Sequence, residues 1–142
     1  HMERDYDYAH ARHAADLPDA ASIGKNAAAR ALKRLHPRKV PTAQASVIFD
    51  PRVSKSLVGY LANGVSGAAV ARGTSFLKGS LNQRVFSPGI RIIDDPHRKR
   101  GLASRPFDGE GVANRRMAVV EDGVLTSWLL DMRSANRLGL HT

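Results

Sequence analysis

The stretch Arg115-Arg116-Met117-Ala118-Val119-Val120-Glu121-Asp122-Gly123-Val124-Leu125-Thr126-Ser127-Trp128-Leu129-Leu130-Asp131 decides the fold class. Residues 115–121 and 124–131 are both β-prone runs, and Asp122-Gly123 stands between them. A two-residue type I′ turn needs positive φ at both central positions, which Asp-Gly tolerates, so the stretch predicts an antiparallel hairpin. Downstream, residues 134–138 read as the start of a helix that Gly139 ends.

Upstream, residues 96–111 have the polar, Gly- and Pro-rich character of a loop. Residues 85–94 are a strand candidate carrying Ile90, Ile92 and Ile93, broken at Pro88-Gly89. Residues 66–77 are rich in small side chains and predict a helix packed at close backbone approach. Asp50-Pro51 opens a helix expected over 51–63, with Val53, Leu57, Tyr60 and Leu61 as its apolar face and Gly64 as its C-terminal cap. Residues 45–49 form a short β-prone run. Residues 19–35 are Ala-rich, and Ile23, Ala27, Ala31 and Leu35 recur every four residues as one helical stripe. Asp16 is the expected cap of that helix, with Pro18 in the first turn and Pro37 as the stop. Helices early and strands late predict an α+β fold: N-terminal helices followed by a β-rich C-terminal part with the Asp122-Gly123 hairpin.

Charge and composition narrow the function classes. The chain has 142 residues, 22 Lys and Arg, 13 Asp and Glu, a net charge of +9 and no cysteine. Lack of cysteine removes disulfides, zinc-thiolate sites and Cys nucleophiles, and suits a reducing, cytoplasmic setting. No apolar run approaches the roughly 20 residues of a membrane span, so no membrane role is expected. The positive charge is concentrated: residues 20–93 hold twelve Lys and Arg against the single acid Asp50. Such a block suits nucleic acid or an acidic partner. Nucleic acid is the less favoured of the two. The basic tip Pro96-His97-Arg98-Lys99-Arg100-Gly101 carries no aromatic side chain for base stacking and no Gly-rich phosphate cradle.

The residues alone name no active site. His10 and His13 have metal-ligand spacing without a third ligand nearby and read as a surface pair. Asp94, Asp95, Asp108 and Glu110 supply four carboxylates around one loop, with Arg105 and Arg115 near enough in sequence to pair with them. Such a cluster can hold Mg²⁺ or Ca²⁺ or serve as acid and base, but Asp-Pro and Asp-Gly are also ordinary turn chemistry. Serine-hydrolase and kinase signatures are missing.

The order of these segments resembles the TldD/PmbA family, whose members are described as metalloproteases and as modulators of DNA gyrase. Arg4-Asp5-Tyr6-Asp7-Tyr8 is similar to the aromatic-acidic motif of the family's middle region. Val47-Ile48-Phe49-Asp50-Pro51, with Gly67-Ala68-Ala69 and Thr74-Ser75-Phe76-Leu77, is similar to the opening of its C-terminal domain. Ile93-Asp94-Asp95-Pro96 and Ser104-Arg105-Pro106-Phe107-Asp108-Gly109-Glu110-Gly111-Val112 resemble its D-D-P and R-x-F-D-G-E-G segments. Gly123-Val124-Leu125 resembles its G-x-L hairpin.

The resemblance implies a division at about residue 40. Residues 1–2 read as a tag scar, 3–40 as the end of a helical middle region, and 41–142 as the first part of the β-rich C-terminal domain, cut from a longer protein. The TldD branch carries H-E-x-x-x-H on a helix, where two His hold zinc and the Glu activates water. The matching place here reads Val58-Gly59-Tyr60-Leu61-Ala62-Asn63, and no His or Glu occurs anywhere in 44–91. The resemblance therefore implies the PmbA, or TldE, branch. It implies a non-catalytic subunit that holds no cofactor itself, pairs with a zinc-bearing TldD-type partner, and binds peptide in antibiotic maturation or antitoxin degradation. A homo-oligomer is the other assembly in view. Asp108, Glu110 and Arg105 are its expected groove or interface residues. The alternatives are a basic nucleic-acid- or gyrase-associated regulator and an autonomous hydrolase using the carboxylates of residues 94–110.

Overall fold

The computed structural model describes residues 2–142, so His1 of the expected tag scar lies outside the described residues. The chain forms two compact units. One contains the residues up to Ser46 together with Lys99–Leu102; the other contains Val47–Arg98 and Ala103–Thr142.

The first unit is built on helix α1, Ala20–Lys33. Its cap is Asp19, whose carboxylate accepts the Ser22 N–H at 3.1 Å. Asp16, the expected cap, instead ends a short 3-10 turn, Ala14–Asp16, and pairs with Arg100 at 2.6 Å. Proline supplies the reason. It excludes the preceding residue from the helical region, and Leu17 is extended, so the helix begins only after Pro18. The stripe Ile23, Ala27, Ala31 and Leu35 is half-buried, as its spacing predicts. Before the helix, Glu3, Asp5 and Asp7 are half-buried while Arg4, Tyr6 and Tyr8 between them are exposed. That alternation is the period of an extended chain. The acids meet α1: Arg30 holds Asp7 at 2.7 Å, and Arg34 reaches Glu3 at 3.6 Å and Asp5 at 3.5 Å. The Arg30 hydrogen bond holds the Asp7 carboxyl below its ordinary value of 3.8. On the other side Tyr6 stacks on Tyr8, and Tyr8 on His10.

The second unit holds helices α2 (Pro51–Gly64) and α3 (Gly67–Arg72), strands β1 (Ile92–Asp94), β2 (Met117–Glu121) and β3 (Val124–Leu125), and helix α4 (Met132–Leu138). The strands form one antiparallel sheet in the order β1-β2-β3. Val119 and Val120 are consecutive and both buried. Consecutive strand residues face opposite sides, so both faces of β2 are covered. Leu61, Val65, Leu77, Val119, Val120 and Leu125 make the core, and Val85, Ile92, Trp128 and Leu129 pack against it.

The hairpin is present as its sequence predicts, with φ of 46° at Asp122 and 78° at Gly123. Its second arm is shorter than expected. After Leu125 the chain leaves the sheet, and Leu129 docks at the α2–α3 junction, donating to Val65 O and accepting from Gly67 N. The broken strand expected over 85–94 also resolves differently. Gln83 and Asn82 bond to Leu125 along the outer edge of β3, whereas Ile92–Asp94 forms β1 along β2. The Pro88-Gly89 break lets the chain pass around the end of the hairpin, so its two sides flank opposite edges.

Three further expectations change. Residues 45–49 form no strand and are exposed, since no second strand lies beside them among the described residues. The helix expected over 66–77 stops at Arg72, where Gly73 turns left-handed at φ 79°. Gly64 is the last residue of α2 rather than its cap, and Phe76 and Leu77 cover it. No helix among the described residues is long and apolar enough to cross a membrane.

Candidate functional site

Asp108 and Glu110 lie in one loop whose shape they set. The Asp108 carboxylate accepts the backbone N–H groups of Glu110 and Val112, each at 2.9 Å. The Asp108 N–H donates to Val112 O at 2.9 Å, and Phe107 and Ala113 form a bridge below the turn. Glu110 reaches α4, where its carboxylate accepts the Met132 N–H at 2.8 Å. That N–H belongs to the first turn of the helix, whose end favours a negative charge. The segment Asp108-Gly109-Glu110-Gly111 is thereby a clip between a tight turn and a helix start.

Asp131 completes the junction with a capping box. Its carboxylate accepts from Ser134 N at 2.6 Å, and the Ser134 hydroxyl turns back to the Asp131 N–H at 3.1 Å. The Ser134 hydroxyl, first, and its backbone N–H hold the Asp131 carboxyl below the ordinary 3.8. The sequence reading starts this helix at Ser134. The Asp131-x-x-Ser134 spacing was the signal that places its first turn two residues earlier.

Arg105 opens the loop. Its backbone is pinned to Pro96 O at 2.9 Å and by the Asn114 amide at 3.2 Å, while its guanidinium is exposed and pairs with neither acid. Arg115 is exposed too, and Arg116 takes the ion pair with Asp95, at 3.4 Å. Asp95 also accepts the His97 N–H at 3.2 Å, ordinary turn chemistry. Among the described residues no three His, Asp or Glu side chains come together to hold a metal. The clip makes a prediction. Glu110→Ala leaves one helix-start N–H without its carboxylate, at a cost of about 0.5–1.5 kcal/mol. Exchange of the Met132 amide is expected to quicken roughly 2- to 10-fold, with a fall in melting temperature of about 2–12 °C. Unaltered exchange would remove Glu110 from this role.

The helix turn 58–63 lies in α2, where zinc would be sought. Its side chains are aliphatic except for Tyr60 and Asn63, so it offers no imidazole, carboxylate or thiolate and does not fit the ion. In the basic block, Arg30, Arg34, Arg52, Arg84 and Arg91 each pair with a carboxylate.

The profile of the PmbA/TldA metallopeptidase C-terminal domain matches residues 42–142. The chain belongs to the PmbA/TldD family. It is 43% identical over 139 residues to the metalloprotease PmbA of Escherichia coli O157:H7, covering 98% of this chain and 31% of that protein. Among solved structures, a candidate modulator of DNA gyrase from Thermotoga maritima superposes with a TM-score of 0.84 at 32% identity, covering 92% of this chain and 30% of that one. A second candidate modulator of DNA gyrase, from Bacteroides thetaiotaomicron, gives 0.85 at 29% identity with the same coverage. The chain thus spans about a third of the length of the PmbA/TldD proteins it matches.

Proposed function

We propose that this chain is part of a PmbA/TldE-type subunit of a cytoplasmic TldD/PmbA-type metalloprotease. The subunit is non-catalytic itself and acts by binding a zinc-bearing TldD-type subunit and the peptide to be cleaved. One observation carries the reading: residues 58–63 of α2 present no zinc ligand and no general base where the TldD branch places both. The sheet gives secondary support. Residues 82–86 occupy the outer edge of β3, which leaves β1 as the edge strand to which an extended peptide can add. The reactions served are maturation of peptide antibiotics or degradation of antitoxins.

The test uses the full-length parent, purified alone and together with an H-E-x-x-x-H partner, with zinc and casein cleavage measured in each. Zinc and cleavage are expected only in the paired sample. Zinc with cleavage by the parent alone would end the reading, because the ligands would then lie in its own chain.

A further inference from the structure

The segment that joins β1 to β2 folds as two lobes in series. The first, residues 97–104, closes at its neck, where Arg105 N donates to Pro96 O at 2.9 Å. The second, residues 106–114, closes where Asn114 N donates to Pro106 O at 3.1 Å, and it contains the Asp108 turn and the Glu110 bond to α4. The tip of the first lobe, Lys99–Leu102, belongs to the first compact unit. Two side chains of that unit hold it. Arg12 donates to Leu102 O through Nε at 3.3 Å and Nη2 at 2.8 Å. Asp16 takes Arg100 at 2.6 Å.

What holds the tip is polar and open to water. Leu102, its one apolar side chain, is 51% exposed, so no core anchors it. Residues 96–107 contain Arg98, Lys99, Arg100 and Arg105 and no Asp or Glu, so Asp16 supplies a carboxylate that the lobe lacks. The side chains of that ion pair are 52% and 33% exposed. A pair so exposed stabilises weakly and is screened by salt. Against it stands the backbone of Arg100, whose φ of 59° lies in the left-handed region that residues with a Cβ avoid. Such a conformation persists only where its surroundings enforce it. A weak, screened hold set against an unfavourable backbone is close to balance.

We propose that residues 97–104 are a latch that ionic strength opens. Asp16 and Arg12 keep it closed against the left-handed Arg100. It opens at the neck between Pro96 and Arg105, while the second lobe keeps its own turn. Opening exchanges the Asp16–Arg100 pair for a detached basic segment, Arg98-Lys99-Arg100, whose peptide bonds can then extend into the cleft of a protease of basic specificity. The inference does not depend on which subunit binds zinc, because every group in it lies in this chain.

The test follows amide hydrogen exchange of the 142-residue chain at about 0.05 M and about 1 M NaCl, with the free peptide 96–105 correcting for the effect of salt on the exchange chemistry. Amides of residues 98–103 are expected to exchange about 2- to 5-fold faster at high salt. The Asp108 and Asn114 amides, bonded within the second lobe, should keep their rates. Asp16→Asn is expected to quicken the tip by the same factor already at low salt and to remove most of the salt dependence. Helix α1 is capped by Asp19, so this variant should fold. Trypsin cleavage within 98–100 should quicken in parallel. Arg100→Asp opposes two carboxylates and should open the tip, and adding Asp16→Arg restores opposite charges and should close it again. A response below about twofold, either to salt or in Asp16→Asn, would overturn the latch. So would Asp108 and Asn114 amides that quicken in step with the tip, because the whole segment would then open as one. Failure of the double variant to slow exchange below that of Arg100→Asp would overturn it too.

Discussion

Gly123→Ala is expected to destabilise the second unit by about 2–5 kcal/mol, combining roughly 1–2 kcal/mol of left-handed backbone strain with an overpacking cost of about 1–3 kcal/mol. Gly123 has φ 78°, and a Cβ there would stand 2.6 Å from Ser87 O and closer still to Phe86 O. Both obstacles are backbone, so neither can swing away. The position is also the hub of the hairpin clamp: Gly123 N donates to Ile90 O, and Gly123 O accepts from Val85 N and Phe86 N. Arg84 and Gly89 hold the neighbouring Asp122 through its carbonyl and carboxylate, at 2.7 Å each. Thermal unfolding of this unit should report a fall of roughly 8–40 °C. Gly123→Asn separates the causes, because asparagine tolerates the left-handed region but still carries a Cβ. If Asn matches glycine, strain alone matters; if it fails like alanine, the approach of residues 86–87 matters. A melting temperature within about 2 °C of the parent for Gly123→Ala would contradict the clamp.

Gly67→Ala is expected to cost about 1–3 kcal/mol by overpacking the junction of α3 and α4. Its Cβ would meet Ser134 Oγ at 2.5 Å, Leu129 O at 2.8 Å and Leu130 Cδ2 at 2.8 Å. The leucine methyl can move. The carbonyl cannot, since it already accepts the Gly67 N–H at 2.7 Å. The serine is tied into the capping box of α4, so the disturbance should spread to that helix. Amide exchange in α4 is therefore expected to quicken along with the drop in melting temperature. Ser134→Ala removes one of the three obstructing atoms. The double variant should lose less than the sum of the two single changes, as contacts sharing one site do. Strict additivity would show that Gly67 and Ser134 do not share the space.

Much of the fold is legible because it rests on local rules. Asp122-Gly123 dictates a turn through its tolerance of positive φ, Gly139 ends α4 in the left-handed region, and the four-residue recurrence in α1 identifies its half-buried face. The errors come where a local preference needs a partner elsewhere in the chain. Residues 45–49 have β-prone side chains and no strand to join. Residues 85–94 read as one interrupted strand, yet the hairpin stands between the edges that its two ends occupy. The register of β1 on β2 shifts between Ile92 and Ile93, a bulge that residue preference does not encode.

The site divides in the same way. Asp108, Glu110 and Arg105 stand out in the sequence as charged residues of one loop, but charge and spacing do not say what each side chain meets. Folding assigns Asp108 to two backbone N–H groups, Glu110 to the start of α4, and Arg105 to the surface. Each assignment depends on where residues 112 and 132 are carried by the chain. The lack of His, Glu and Cys in residues 44–91 is different in kind: no packing can supply an imidazole, glutamate or thiolate that the segment does not contain, so the amino-acid order alone settles it. The apolar stripe of α2 needs both levels: its spacing is written in the helix, but Leu61 is buried while Val53, Leu57 and Tyr60 are exposed, and which of them is covered depends on what packs over each.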